Sequence, residues 1–93
     1  MREYETTWDG LPETVEAAEL TKDNADELAE LCGGIKIEER DALHPDVVYV
    51  GVNVPTGNGV RRLSEGGVLI HRAGQWFILS RHSFRNMYKK KEN

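Results

Sequence analysis

Residues 66–88 of the chain read GGVLIHRAGQWFILSRHSFRNMY, and this stretch decides the fold. Its two apolar runs, residues 68–71 and 75–79, have the length and composition of β-strands. Between them lie Arg-Ala-Gly at residues 72–74, a turn in which we expect Gly74 to take a positive φ. The stretch therefore predicts a β-hairpin.

A short helix is expected directly after the hairpin. Ser83 offers an N-cap, and the side chains of Phe84, Met87 and Tyr88 recur on one helical face. Residues 89–91 are all lysine, a residue that suits the negative end of a helix dipole. The sequence thus predicts a short C-terminal helix with one apolar face.

A second helix is expected upstream, after the N-cap candidates in residues 21–24. Its first turn contains Asp26 and Glu27, which suit the positive end of the dipole. Small and apolar residues then recur on one face: Ala25, Leu28, Ala29 and Cys32. Residues 33–34 are Gly-Gly, which supplies the positive φ that commonly ends a helix. Because only one face is apolar, we expect this helix to pack on a sheet.

The remaining segments have the character of strands and turns. Alternating or β-branched residues predict strands at residues 14–20, 35–38 and 47–54, the last ending at Pro55. Residues 40–46 and 56–59 have loop and turn composition, and residues 60–63 fit a short strand or a helical turn. The chain is therefore expected to be an α+β protein. In it, a small antiparallel sheet of about four or five strands packs against one central helix and the short C-terminal helix.

The length of 93 residues fits one domain. We expect residues 1–13 to form a partly ordered N-terminal arm and residues 14–93 to form a single α+β domain. Trp8 lies in the arm, and two interpretations stay open for it. Its indole either packs on the core or docks on a partner.

Charge is strongly polarised along the chain. Residues 1–46 contain 14 acidic and 4 basic residues, a net charge of −10, whereas residues 47–93 contain 2 acidic and 8 basic residues, a net charge of +6. The two halves can attract each other within one domain, or they can form a surface that steers a charged partner. The overall charge of −4 disfavours nucleic acid, which needs a basic surface.

No pattern of catalytic or metal-binding residues is present in the sequence. The histidines at positions 44, 71 and 82 lack the close spacing of a metal site, and Cys32 is the single cysteine. Ser80 and His82 supply residue types used in nucleophilic catalysis, but sequence neighbours seldom converge in the required geometry. We therefore expect a non-enzymatic protein without cofactor or metal, with Cys32 as a small buried side chain.

Basic and aromatic residues interleave around the hairpin, and from them we predict partner contacts. The predicted contact residues are Arg72, Gln75, Trp76, Arg81 and His82. Tryptophan and arginine are the residue types enriched at interface hot spots. The same interleaving also occurs in proteins that bind single-stranded nucleic acid, which is the alternative hypothesis.

Three motifs resemble a family of small accessory, non-structural proteins of actinobacteriophages, which include the mycobacteriophages. Residues 24–34 read NADELAELCGG, which is similar to the N-A-D-E-x-A-x-x-C-G-G element of that family. Residues 52–56, VNVPT, resemble its strand end, and residues 66–88 resemble its terminal motif. The chain departs from the family at Gly67, where aspartate is usual, and at residues 78–82, which replace a P-C-K-P-D run.

The resemblance implies a phage-encoded protein that acts in the host cytoplasm. It implies binding to a host cytosolic protein, which inhibits or redirects growth or division or excludes competing phages, with toxicity to the host as one consequence. The N-terminal residues show no apolar signal core, and no apolar run is long enough to span a bilayer. We therefore expect no membrane insertion. Dimerisation through an exposed sheet edge stays open.

Overall fold

A computed structural model describes residues 1–6 and 13–91 of the chain. These residues form an elongated body of 47 × 23 × 22 Å that contains two antiparallel sheets and two helices. In chain order the elements are β1 (Arg2–Thr6), β2 (Thr14–Glu19), α1 (Ala25–Cys32), β3 (Ile35–Arg40), β4 (Val48–Thr56), β5 (Gly59–Ser64), β6 (Val68–Arg72), β7 (Gln75–Leu79), α2 (Arg81–Met87) and β8 (Tyr88–Lys90). The α+β class is therefore confirmed, and the protein is mostly strand.

The larger sheet has five strands in the order β7-β6-β2-β1-β8. The predicted hairpin is present as β6 and β7, in register from Val68 opposite Leu79 to Arg72 opposite Gln75. Its turn residues Ala73 and Gly74 have φ values of 50° and 76°. Positive φ at both central residues is the signature of a type I′ turn, whose twist matches that of the flanking strands.

The smaller sheet has three strands in the order β3-β4-β5. The prediction that the strand of β4 ends at Pro55 is wrong, because Pro55 lies opposite Val60 and the pairing continues to Thr56 opposite Gly59. Proline lacks an N–H donor, yet a strand accepts it where that bond is not needed. Residues 60–63, which fitted either a strand or a helical turn, belong to β5. The expectation of a single sheet is therefore corrected to two sheets.

The central helix α1 forms where the sequence predicts it. Its N-cap is Asn24, whose side-chain amide donates a hydrogen bond of 2.8 Å to the carbonyl of Glu19 and so fixes the helix start against β2. Gly33 ends the helix at a φ of 69°, and its neighbour Gly34 lies against the backbone carbonyl of Asn53 in β4. A glycine pair is thus needed for both the cap and the close approach.

The C-terminal helix α2 begins earlier than the sequence suggests. Its N-cap is Ser80, whose hydroxyl accepts a hydrogen bond of 3.1 Å from the backbone N–H of Ser83, so the prediction of Ser83 as the cap is wrong. The helix ends at Met87, and Lys89 and Lys90 belong to strand β8 instead of a helix terminus. Strand β8 pairs with β1, where Tyr88 lies opposite Thr6.

The N-terminal segment is also more regular than expected. Arg2–Thr6, which we assigned to a partly ordered arm, is an inner strand of the larger sheet between β2 and β8. Its Tyr4 lies opposite Val15 and packs at the margin of a core cluster. The alternatives considered for Trp8 concern a position outside the described residues.

Two apolar clusters lie on opposite faces of the five-stranded sheet. The first joins α1, the inner face of the three-stranded sheet and part of the larger sheet, and its buried members include Leu20, Leu28, Val52, Val54, Leu63 and Leu69. The second lies beneath α2 and contains Val15, Ala17, Val68, Ile70, Phe84 and Tyr88. Cys32 is a buried, free cysteine of the first cluster, as predicted. The larger sheet is therefore covered by different partners on its two faces.

Candidate functional site

The predicted contact residues of the hairpin lie on different sides of the sheet. The guanidinium Nε of Arg72 lies 2.5 Å from Glu13 Oε1, and Gln75 faces Arg72 across the turn. Trp76 is the next residue along β7, so its side chain points to the opposite face of the sheet. There its indole stacks on the imidazole of His71, with ring centroids 4.3 Å apart.

The other two predicted contacts lie in the first turn of α2. Arg81 donates a hydrogen bond of 2.5 Å from Nε to Oε1 of Glu19. His82 is exposed, and its Nε2 lies 3.2 Å from the side-chain nitrogen of Asn86. Because α2 follows the end of β7, these residues lie at the far end of the strand from the hairpin turn. The five predicted residues therefore do not form one compact patch.

Two adjoining depressions run beside β7, and three of the predicted residues line them. The first has a volume of about 290 Å³ and lies where the β4–β5 turn approaches the start of β7. Arg61 of β5 and Gln75, Trp76 and Ile78 of β7 line it, together with residues of the turn. Sequence analysis did not identify the contribution of β5 to this surface.

The second depression has a volume of about 550 Å³ and continues toward α2. Residues from Arg62 to Gly67 form one part of its lining, and Ile78 to Arg81 form the other. Ile78 lines both depressions, so they join near the end of β7. We name the joined surface the β5–β7 groove and define it by Arg61, Gln75, Trp76, Ile78 and Arg81.

Both strands that border the β5–β7 groove are edge strands. Strand β5 pairs only with β4, and β7 pairs only with β6, within the described part of the chain. An edge strand presents a row of backbone N–H and C=O groups that no neighbouring strand bonds. The groove thus combines two free backbone edges with the half-buried side chains of Trp76 and Ile78, which also pack against the first core cluster.

The charged side chains of the groove are mostly arginines. Arg61 forms no ion pair with any described residue, and Arg81 pairs with Glu19. Both arginines are exposed, and an exposed ion pair contributes little free energy, so Arg81 can exchange its partner. Glu65 also lines the groove, but its Oε2 accepts a hydrogen bond of 2.9 Å from the backbone N–H of Val50.

The opposite charges of the two halves of the chain largely pair with each other within the fold. Five ion pairs join an acidic residue of the first half to a basic residue of the second: Glu39–Arg62, Glu13–Arg72, Glu19–Arg81, Glu5–Lys89 and Glu3–Lys91. The interpretation in which the two halves attract each other therefore has direct structural support. Arg61, Arg85 and Lys90 are basic residues of the second half that have no ion pair within residues 1–6 and 13–91.

The described residues offer no cluster suited to a metal ion. No group of three or more histidine, cysteine, aspartate or glutamate side chains converges among them. The three histidines lie on separate elements, with His44 near Asp41, His71 on β6 and His82 on α2. Within the same residues, no helix is long and apolar enough to cross a membrane.

Comparison of the chain with protein-family models, with curated proteins and with solved structures finds no match. The resemblance to actinobacteriophage accessory proteins therefore stays a prediction from residues 24–34, 52–56 and 66–88. The site has to be interpreted from its own geometry.

Proposed function

We propose that this protein is a phage-encoded, non-enzymatic protein that binds a host cytosolic protein through the β5–β7 groove. The proposal rests on one observation. The unpaired edges of β5 and β7 border a groove whose base, or floor, is apolar and whose margin, or rim, contains arginines. Trp76 and Ile78 supply the floor, and Arg61 and Arg81 supply the rim.

The composition of the groove suits protein recognition. Tryptophan and arginine dominate binding energy at protein interfaces, especially where the side chain lies in a packed, partly desolvated position. Trp76 meets this condition because it stacks on His71 and packs against the first core cluster. It is held in one orientation before binding, which lowers the entropy lost when a partner docks.

The biological outcome that we propose follows from the sequence resemblance. Binding would inhibit or redirect the growth or division machinery of the host, or exclude competing phages, and would act in the host cytoplasm. The protein would be toxic to the host where the bound protein is essential. These proposals rest on the NADELAELCGG element of residues 24–34 and on the groove together.

Affinity purification from an actinobacterial lysate tests the proposal. We expect a host protein to be enriched with the wild-type protein and lost with Trp76→Ala and with Arg61→Glu. Tyr49→Ala is the matched control, because Tyr49 is an exposed aromatic residue outside the groove. Trp76 also contacts the core, so Trp76→Ala can reduce binding by destabilising the fold. Arg61 is exposed, so a loss of binding with Arg61→Glu reports on the contact itself. If no host protein depends on both groove residues, the proposal is wrong.

Nucleic-acid binding is the second candidate, and a surface beside α2 that shares Arg81 with the groove favours it. Arg81, Arg85 and Lys90 line a depression of about 370 Å³ beside α2, together with Tyr4. Exposed cations beside an aromatic ring suit a single-stranded backbone and its bases. This function predicts affinity for single-stranded DNA or RNA that falls steeply with salt. A fluorescence-polarisation titration that shows no binding at low salt would exclude it.

A further inference from the structure

The two edge strands of the groove run in the same direction. Arg61, near the start of β5, shares the first depression with Gln75, the start of β7. Ser64, the end of β5, shares the second depression with Leu79, the end of β7. The groove therefore follows both strands along their length, as a channel beside two similarly directed backbone edges.

The floor and rim of the groove differ in chemistry. Trp76 and Ile78 are two residues apart on β7, so their side chains point to the same face of the sheet. Between them, Phe77 points to the other face and is 41% exposed. Basic groups lie in both parts of the groove, with Arg61 in the first depression and Arg81 in the second.

We propose that the groove binds an extended, acidic segment of the partner protein, which adds as a β-strand to the free edge of β7. This inference rests on the proposed function and specifies the partner's chemistry. The added strand forms backbone hydrogen bonds with β7, which is the recognition mode of strand addition. Its apolar side chains alternate in contact with Trp76 and Ile78, and its carboxylates lie near Arg61 and Arg81.

Charge complementarity selects an acidic segment. Arg61 has no carboxylate partner among the described residues, and Arg81 holds its partner Glu19 in an exposed pair that can exchange. Glu65 is the one carboxylate in the lining of the second depression, and its oxygen is engaged by Val50. A basic segment would meet the arginines without compensation, and like charges brought together at an interface oppose binding.

Selection from a library of short random peptides tests the inference. We expect the enriched peptides to be acidic, with apolar residues at alternate positions. Their affinity should fall about tenfold with Arg61→Glu, since rim charges steer and stabilise the complex. Arg85→Glu makes the same charge change outside the groove and should leave affinity unchanged.

Methylation of the backbone nitrogens along one edge of a selected peptide tests strand addition directly. It removes the donors while it keeps every side chain, so we expect binding to be lost. The inference is overturned if no peptide is enriched, if the enriched peptides lack an acidic excess, or if methylation of each edge in turn leaves affinity intact. Sedimentation as a dimer that Arg61→Glu dissociates would also overturn it, because a second copy would then occupy the groove.

The peptide experiments and the lysate experiment can fail independently of each other. A host protein that depends on Trp76 and Arg61 but binds through a folded surface leaves the proposed function intact and excludes strand addition. Acidic peptides that bind in the absence of any host protein in the lysate support the chemistry of the groove and contradict the proposed function.

Discussion

Arg81 and Glu19 form a hydrogen-bonded ion pair between residues 62 positions apart in the chain. The pair joins the first turn of α2 to the end of β2, so it fixes the helix over the second core cluster. Four similar pairs also link the acidic first half to the basic second half. The opposite charges of the two halves thus help to hold together segments that are distant in sequence.

The Arg81–Glu19 pair is expected to contribute modestly to stability. Its side chains are 52% and 39% exposed, so water screens the interaction. A double-mutant cycle with Arg81→Gln and Glu19→Gln should give a coupling energy of about 0.2–1 kcal/mol, which decreases with added salt. Urea unfolding at low and high salt measures it. A coupling that does not change with salt would show that the contact is not electrostatic.

Leu63 is expected to be essential for joining the two sheets. It is fully buried in β5 and packs in the cluster that includes Leu69 of the larger sheet. Truncation to alanine should lower the free energy of unfolding by about 2–5 kcal/mol, because it removes buried methyl groups and leaves a cavity. The same substitution at Leu43, which is 85% exposed, should have almost no effect in the same unfolding experiment.

The glycine pair after α1 should respond unequally to alanine. At Gly33 the added Cβ meets nothing within 4 Å, so the cost is that of a left-handed backbone, about 1 kcal/mol. At Gly34 the added Cβ would collide with the backbone carbonyl of Asn53, and β3 would have to shift against β4. Thermal unfolding should therefore show a larger loss for Gly34→Ala than for Gly33→Ala. Equal losses would contradict this explanation.

Ala73 is a position where substitution should increase stability. It has a φ of 50°, which is positive and costly for alanine, at the first central position of the β6–β7 turn. Asparagine tolerates this conformation, and Asn-Gly is the preferred sequence of a type I′ turn. Ala73→Asn should raise the free energy of unfolding by about 1 kcal/mol, as measured by urea unfolding. Ala73→Val should lower it, since a β-branched residue is poorly suited to positive φ.

Local elements were predictable from the sequence because their signals are local. Helix α1 has its apolar face, its acidic first turn and its glycine terminator within residues 24–34, and the structure gives Ala25–Cys32. The β6–β7 hairpin was predictable for the same reason, since its turn and both strands are contiguous. The prediction of Ser83 as the cap of α2 was wrong because Ser80, three residues earlier, suits that position equally well.

Pairings between distant segments could not be predicted. Strand β8 contains two lysines and no apolar alternation, and it is a strand because it pairs with β1, where Lys89 lies opposite Glu5. The division into two sheets depends on the position at which α1 packs between them. The sequence of any single segment does not specify that position. The β5–β7 groove was missed for a related reason, since it arises from the relative placement of two strands that do not pair. Interleaved aromatic and basic residues around the hairpin led to Gln75, Trp76 and Arg81, whereas Arg61 is a basic residue that the sequence could not place beside them.

The pairing of β1 with β8 has a consequence for the order of folding. The first and last strands of the described chain are neighbours, so this part of the larger sheet forms only after a very long loop closes. During synthesis on the ribosome, β1 and β2 emerge before β8, and the edge of β1 stays unpaired until β8 has emerged. We expect this exposed edge to favour aggregation of the nascent chain in that interval.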